Sequence, residues 1–217
     1  MRASNFGKAC AAIAAGACLV ILAISDSSQA QTKAGEKSKA GQSKVQIKQV
    51  ERGKYLVTIM SCNDCHTPFK MGPKGPEPDM SRMLSGHPEQ MKLPPPPKVD
   101  MPWMGAYNAT DTAFAGPWGV SYAANLTPDQ NTGLGIWTED MFLKAMKLGK
   151  HMGTSRDIAP PMPWNWVGKA TDEDLKAIFA YLKSIPPIAN HVPDYEPPKG
   201  PPPGAPAPPE KAAPKKK

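Results

Sequence analysis

Cys62-Asn63-Asp64-Cys65-His66 is the stretch of this 217-residue chain that decides its fold. The pattern C-x-x-C-H is the attachment motif of c-type haem, in which two thiols form thioether bonds to the porphyrin and the histidine binds the iron. Two cysteines three positions apart reach neighbouring edges of one porphyrin, and the next residue reaches its centre. The motif therefore predicts one covalent haem c, held by Cys62 and Cys65, with His66 as its first axial ligand.

Other sites that use C-x-x-C fit the chain less well. A zinc site needs a second C-x-x-C or a pair of histidines, and a thioredoxin-like site needs a βαβ context, which the flanks do not show. The two remaining cysteines, Cys10 and Cys18, lie near the N-terminus. A Cys62–Cys65 disulfide beside an ordinary histidine remains the alternative.

The N-terminus has the pattern of a secretory signal peptide. Arg2 and Lys8 form a positively charged region before an uncharged apolar run over 9–24, and Ser28-Gln29-Ala30 fits a cleavage site. The run is about 16 residues, shorter than the roughly 20 that a membrane-spanning helix needs. We therefore predict a signal peptide over 1–30 and a mature protein in the periplasm. An uncleaved membrane anchor is the alternative.

Composition divides the remainder into a body and two arms. Residues 31–44 are rich in Lys, Gly, Ser and Gln and predict a flexible linker, while 193–217 are rich in Pro, Ala and Lys and predict a disordered tail. Residues 45–192 are the predicted monohaem domain. The net charge of +7 favours docking to an acidic redox partner or peripheral association with anionic lipid, or serves solubility alone. Nucleic acid is not expected as a partner in the periplasm.

Apolar periodicity predicts three helices in the body, over 45–60, 138–150 and 171–185. Thr138 and Thr171 are the predicted N-caps of the second and third. The many prolines between 67 and 125 predict loops and turns, with short strands only near 118–122. Trp103 and Tyr107 are expected among the buried anchors of these loops.

Three stretches resemble class I cytochrome c: Arg52-Gly53-Lys54-Tyr55-Leu56, Pro160-Pro161-Met162-Pro163-Trp164, and residues 174–182. The resemblance implies an all-α, class I cytochrome c fold, in which the first and last helices cross at Gly53 against Tyr181 or Phe179. The stretch 67–118 would then be a long Pro-rich insertion.

A narrower resemblance is carried by Asn125-Leu126-Thr127-Pro128-Asp129 and by residues 132–138. These stretches are similar to the haem domains in cytochrome subunits of bacterial membrane-bound alcohol and gluconate dehydrogenases. Those subunits carry three haem motifs, whereas this chain has one.

The second axial ligand decides between electron transfer and an open iron site. Met162 is the predicted ligand, because prolines on both sides restrict its loop and because the class I pattern places the methionine before the last helix. A thioether raises the reduction potential and fills the site, which suits electron transfer. Met152 and Met104 are the alternative methionines, and a bis-histidine haem would instead use one of the loop histidines, His87, His151 or His191.

Further residues are predicted around the haem. Trp137 and Trp164, with Trp166, are expected to wall its crevice, and Arg156 to pair with a propionate or to form a surface salt bridge. Asp129-x-Asn131-x-Gly133 has part of a calcium-loop pattern but lacks the bidentate glutamate.

Together these features predict an electron-transfer protein with no catalytic residues of its own. It would pass single electrons from a dehydrogenase to the respiratory chain, with a dehydrogenase, an oxidase or another cytochrome as partner. The alternatives are a haem subunit of a membrane dehydrogenase complex, or a haem enzyme or sensor with an open iron site.

Overall fold

The computed structural model describes residues 43–99 and 102–199. The predicted signal peptide, nearly all of the predicted linker and the tail from residue 200 onward lie outside the described residues. The chain divides into two units, Met1–Lys48 and Gln49–Lys217. Of the first unit only 43–48 are described, and they are helical. Within the described ranges, no helix combines the length and apolar character needed to span a membrane.

The described residues form five α-helices. They are α1 over 43–59, α2 (Cys62–His66), α3 (Glu139–Leu148), α4 (Trp164–Val167) and α5 (Asp172–Ser184). The three long helices confirm the predictions from periodicity. Both predicted N-caps are confirmed as well, since the Thr138 hydroxyl accepts from the Met141 N–H and the Thr171 hydroxyl from the Asp174 N–H. The short helices α2 and α4 were not predicted, because four or five residues carry no periodicity.

The apolar core lies where the three long helices meet. The Phe142 and Phe179 rings lie 5.4 Å apart between α3 and α5. The predicted close crossing of α1 and α5 at Gly53 is confirmed: a methyl group there would collide with the Ala177 carbonyl and the Tyr181 side chain. The buried members of this helical core are Leu56, Val57, Phe142, Ala145, Met146, Leu175, Ala177, Ile178, Phe179, Tyr181 and Leu182.

The all-α prediction is wrong, because the described residues also form five β-strands in two antiparallel sheets. One sheet pairs β1 (Phe69–Gly72) with β2 (Gly75–Pro78). The other has the order β3-β4-β5, formed by Ala106–Tyr107, Ala113–Gly116 and Gly119–Tyr122. All five lie in the Pro-rich stretch expected to be loop, where only the last had been predicted. Proline is compatible with a strand at an edge, and β2, which contains Pro76 and Pro78, belongs to a two-stranded hairpin.

The beginning of the predicted tail pairs with β5. Val120 and Glu196 exchange two backbone hydrogen bonds, with N···O distances of 2.8 and 2.9 Å. The Tyr195 hydroxyl donates to the Trp118 carbonyl. Gly119 has a φ of +100°, and a methyl group there would collide with the Glu196 carbonyl, so a glycine is required at this approach.

Two aromatic residues expected to be buried are exposed. Trp103 is 76% and Tyr107 72% accessible. Tyr107 lies on β3, a two-residue strand at the edge of its sheet, where no further layer of the described residues covers it. Phe114 and Trp118, which belong to β4 and the turn after it, are half-buried.

Candidate haem-attachment site

The C-x-x-C-H motif forms the whole of helix α2. Ser61 has a left-handed conformation, with φ of 56°, and separates α2 from α1. Cys62 and Cys65 are three residues apart and therefore lie on one face of the helix. Both are half-buried free thiols, and Cys62 packs against the edge of the helical core.

His66 is buried, and a hydrogen bond determines the tautomer of its imidazole ring. The ring Nδ1 lies 2.7 Å from the Ala124 carbonyl oxygen. A carbonyl only accepts, so Nδ1 carries the proton and donates it, and Nε2 keeps its lone pair. Burial lowers the pKa of His66 and outweighs the opposite effect of the bond to Ala124. His66 is therefore a neutral imidazole whose Nε2 lone pair can bind a metal ion.

Two backbone segments, 84–87 and 123–126, hold His66 in place. The His87 N–H donates to the Ala123 carbonyl and the Leu126 N–H to the Leu84 carbonyl, both at 2.9 Å. The Gly86 N–H donates to the carbonyl of His66 itself at 2.8 Å. Gly86 has a φ of +78°, and a Cβ there would collide with the backbone of 123–124. The first of these segments comes from the Pro-rich stretch, which is therefore part of the site's framework.

The two thiols differ electrostatically from those of redox-active C-x-x-C sites. Burial raises the pKa of Cys62 to about 11, with smaller contributions from Cys65 and Asp64. The pKa of Cys65 is raised as well, by burial and then by the carboxylates of Asp111 and Asp64. A thioredoxin-like site lowers the pKa of its attacking cysteine. The thioredoxin-like interpretation is therefore disfavoured.

Met162 lies in a loop that is attached to the β-sheet. Its side chain is half-buried and packs against the same helical core as Cys62. The Pro160–Pro161 peptide bond is cis. The Ser121 hydroxyl of β5 donates to the Pro160 carbonyl at 2.5 Å. After the loop, Trp164 of α4 packs over Gly149 at the end of α3.

The two other methionines considered as ligands differ from each other in burial. Met104 is 63% exposed. Met152 is half-buried like Met162 and lies in a 3-10 turn (His151–Gly153), with a positive φ of 53°. Met162 is half-buried, and its loop is hydrogen-bonded to β5 through Ser121. The residues that follow β5 include Ala124, which accepts the hydrogen bond from His66. Met162 as axial ligand nevertheless stays a prediction.

The remaining predicted residues differ in burial and in their contacts. Trp137 is half-buried against the helical core, and its ring meets that of His151 edge-on at 5.1 Å. Trp166 is 73% exposed, so its expected burial is wrong: the single turn α4 turns Trp164 inward and leaves Trp166 outside. Arg156 is exposed, and its guanidinium donates to the Asp157 carbonyl at 3.3 Å.

The three loop histidines differ in burial. His87 is fully buried, with Nδ1 2.8 Å from the Thr112 hydroxyl, while its Nε2 has no hydrogen-bond partner within the described ranges. His151 is half-buried and His191 exposed. Burial lowers the pKa values of His87 and His151.

The partial calcium pattern is a turn. Oδ1 of Asp129 accepts from the N–H groups of Asn131 and Thr132 and from the Thr132 hydroxyl, and these bonds lower the pKa of Asp129. The carboxylate thus organises its own loop. In the part of the chain that the structure describes, no three His, Cys, Asp or Glu side chains form a group that could hold a metal ion.

Sequence reasoning missed the residues that support the site. Ala124 acts through its main-chain carbonyl, which leaves no trace in residue type. Gly86 allows the backbone of 123–124 to approach closely, and the Ser121 hydroxyl donates a hydrogen bond to the distant Pro160 carbonyl. No local sequence pattern marks either residue. The donor set itself fits haem c, since two thiols on one helical face, a neutral imidazole with its Nδ1 proton already donated, and a half-buried thioether are the groups this cofactor requires.

No protein-family model matches the chain. One of the subunits of nicotinate dehydrogenase from Pseudomonas putida is 36% identical over 92 residues, which are 41% of this chain and 7% of that protein. The gluconate 2-dehydrogenase cytochrome c subunit of Pantoea cypripedii is 28% identical over 141 residues, 64% of this chain and 24% of that one. The cytochrome c subunit of a quinone alcohol dehydrogenase from Gluconobacter oxydans is 25% identical over 148 residues, 67% and 24% respectively.

The chain thus spans a quarter or less of the length of these relatives. The resemblance that the motifs predicted is nevertheless confirmed: this chain is related in sequence to the cytochrome c subunits of bacterial gluconate and alcohol dehydrogenases.

Proposed function

We propose that this chain is a periplasmic monohaem c-type cytochrome that passes single electrons between a dehydrogenase and an acceptor in the respiratory chain. The observation that carries the proposal is the geometry of His66. Its motif forms one short helix, and the Ala124 carbonyl fixes the imidazole as the neutral tautomer that binds iron. The similarity to cytochrome c subunits supports the same conclusion.

Each residue of the site has a distinct task in this proposal. Cys62 and Cys65 would hold the porphyrin edge through thioether bonds, and His66 and Met162 would bind the iron from opposite sides. Haem c, when bound, supplies a one-electron Fe(II)/Fe(III) couple. Cys62 and Met162 both pack against the same apolar core, which would cover part of the haem. Electron transfer requires no general acid or base, and we assign none.

The partner we propose is the catalytic subunit of a dehydrogenase, with an oxidase or another cytochrome as acceptor. The relatives are named as subunits of dehydrogenases, which supports a complex, and the predicted signal peptide supports a periplasmic location. The positive net charge would speed the encounter with an acidic partner.

Haem attachment is tested by expressing the chain in a bacterium that carries out haem c maturation. The wild type should keep its colour in acidified acetone and gain the mass of one haem. Cys62→Ser with Cys65→Ser should lose both. A wild-type product that releases its colour into acidified acetone, or that carries no haem, would contradict the proposal.

The axial ligand is tested separately, in the ferric holoprotein. Met162→Ala should abolish the weak far-red absorption band of methionine-ligated haem and lower the reduction potential, with haem still covalently attached. Met152→Ala and Met104→Ala are the matched controls and should keep the band. If Met152→Ala loses the band and Met162→Ala keeps it, Met152 is the ligand.

Electron transfer is tested by mixing the ferric protein with candidate dehydrogenase subunits and their substrate, and following haem reduction. Reduction should become slower as ionic strength rises, because charge guides the encounter. Turnover of peroxide by the wild type, without any such reduction, would instead identify an open-site haem enzyme.

A further inference from the structure

We propose that Ser121 is a positioning residue for Met162, and that β5 with its continuation to Ala124 is the common support of both proposed axial ligands. The inference rests on the proposed function, because it assumes that Met162 and His66 are the ligands. Two contacts motivate it. The Ser121 hydroxyl donates to the Pro160 carbonyl, and the Ala124 carbonyl accepts from His66.

The direction of the Ser121 hydrogen bond follows from distance. Its oxygen lies 2.5 Å from the Pro160 carbonyl oxygen and 3.5 Å from that of Phe114. A hydroxyl has one hydrogen to donate, so Pro160 receives it. Ser121 is only 8% exposed, and water therefore competes poorly for this bond.

The attachment points are close along the chain. Ser121 and Ala124 are three residues apart, so their α-carbons are separated by at most about 11 Å. Pro160 and Met162 are two residues apart and separated by at most about 7 Å. One short stretch of backbone therefore sets the position of His66 directly and that of the Met162 loop through a single side chain.

The supporting stretch is itself held from both edges. On one side β4 pairs with β5, with Ala115 opposite Val120. On the other side Glu196 exchanges two backbone hydrogen bonds with Val120, and the Tyr122 hydroxyl donates to the Glu196 carboxylate at 2.6 Å. A strand paired on both edges resists displacement more than the Met162 loop, which is joined to it by the Ser121 hydrogen bond.

Loosening this attachment should change how readily the Met162 loop leaves the iron. An added ligand such as imidazole binds ferric haem only when the methionine is displaced, so its apparent affinity scales with the open fraction of the loop. Loss of a single net hydrogen bond of about 1 kcal/mol corresponds to a change of about fivefold in that fraction.

The test uses the full-length ferric holoprotein and a titration with imidazole. Ser121→Ala should bind imidazole about fivefold more tightly than the wild type, with a weaker far-red band. Thr110→Val is the matched control: it also removes a buried hydroxyl, one bonded to Asn108 and Thr112 rather than to the Met162 loop. Its imidazole affinity should equal that of the wild type even though its thermal stability falls. Met162→Ala serves as the reference: its imidazole affinity is the value expected when no methionine competes for the iron.

Three outcomes would overturn the inference. Ser121→Ala could match the wild type while Met162→Ala binds imidazole more tightly, and Ser121 would then have no positioning role although Met162 remained the ligand. Ser121→Ala and Thr110→Val could raise the affinity equally, which would identify a general loss of stability. Finally, a wild type that already binds imidazole as tightly as Met162→Ala would disprove the Met162 ligand as well.

Discussion

The buried side chains differ in polarity between the helical part of this protein and its β part. Where α1, α3 and α5 meet, the buried side chains are almost entirely apolar. In the part built from 67–127 and the stretch 188–196, the buried side chains are largely polar. Its fully or nearly fully buried polar residues are Thr67, Ser85, His87, Thr110, Thr112, Ser121, Asn125, Thr127 and Asn190.

His66 belongs to both parts, and the difference explains how it is held. Its helix packs beside the apolar core, while its ring and its carbonyl are bound by backbone groups of the β part. A long helix cannot supply such partners from its middle, because its own N–H and C=O groups are already paired. Irregular and β structure leaves backbone groups free to bind a side chain such as that of His66.

The largest expected effect tests the apolar side of the comparison. Gly53→Leu forces α1 away from α5, since even a methyl group would collide with the Ala177 carbonyl and the Tyr181 side chain. We expect a loss of about 4 kcal/mol of unfolding free energy, measured by urea denaturation of the holoprotein. Lys54→Ala, on the exposed face one residue further, is the control and should stay within about 0.5 kcal/mol of the wild type. A Gly53→Leu variant of wild-type stability would show that the crossing is not tight.

The second prediction tests the polar side. Asn190 is 1% exposed, and its amide donates to the Ser85 and His87 carbonyls at 2.7 and 2.8 Å. Its oxygen accepts from the Arg82 guanidinium and the Glu89 N–H. Asn190→Ala leaves these buried groups unpaired and should cost about 3 kcal/mol.

Asn131→Ala provides the matched control, because that exposed side chain makes no hydrogen bond within the described residues. It should change the unfolding free energy by less than about 0.5 kcal/mol. If Asn190→Ala cost no more than Asn131→Ala, the polar network would not stabilise the β part, and the comparison would fail on that side.

The two parts also differ in how far the sequence predicts them. The helices follow from local patterns: the spacing of Leu175, Ile178 and Leu182 gives the buried face of α5, and Thr171 gives its start. The haem motif is likewise local, and so is the short proline-flanked loop of Met162. Each of these can be recognised from a few consecutive residues.

The β part could not be predicted, because its hydrogen bonds join residues that are far apart in the sequence. Many of these bonds use main-chain N–H and C=O groups, which nearly every residue has. Asn190 binds carbonyls more than 100 positions away, and Ala124 holds His66 through its main chain. Prolines in 67–125 suggested loops, yet a short edge strand needs only some of its N–H groups. The all-α expectation failed for this reason.

A smaller effect on the unfolding free energy is expected at the N-cap of α5, which depends only on residues close together in the sequence. The Thr171 hydroxyl accepts from the Asp174 N–H at the start of α5. Thr171→Ala should lower the unfolding free energy by about 1 kcal/mol, the usual value of an N-cap. Thr171→Ser keeps the hydroxyl and should restore most of the loss. Equal losses for the two variants would assign the effect to the threonine methyl group and not to the cap.

The smallest effect depends on pH and concerns the surface pair that joins α1 to α5. The Arg52 guanidinium donates to both carboxylate oxygens of Asp174, at 2.9 and 3.2 Å, and lowers the pKa of that carboxyl below its usual value. A lowered pKa stabilises the folded state above the unfolded pKa of about 3.9 and ceases to do so as pH falls through the folded value. Because the pair is exposed and screened by solvent, we expect a smaller effect on the unfolding free energy than that of the Thr171 cap.

Arg52→Gln is the variant that isolates this pair. The wild type should be more stable than Arg52→Gln at pH 6, and the gap should narrow as the pH falls through the lowered pKa of Asp174 and the carboxyl becomes protonated. Arg52 also lies over the Tyr55 ring at 5.6 Å, and any part of the gap that persists at low pH belongs to that contact. Lys144→Gln, which removes an exposed pair within α3, is the control and should give almost no gap at either pH. A gap for Arg52→Gln that is constant with pH would show that the carboxylate does not stabilise the helix crossing.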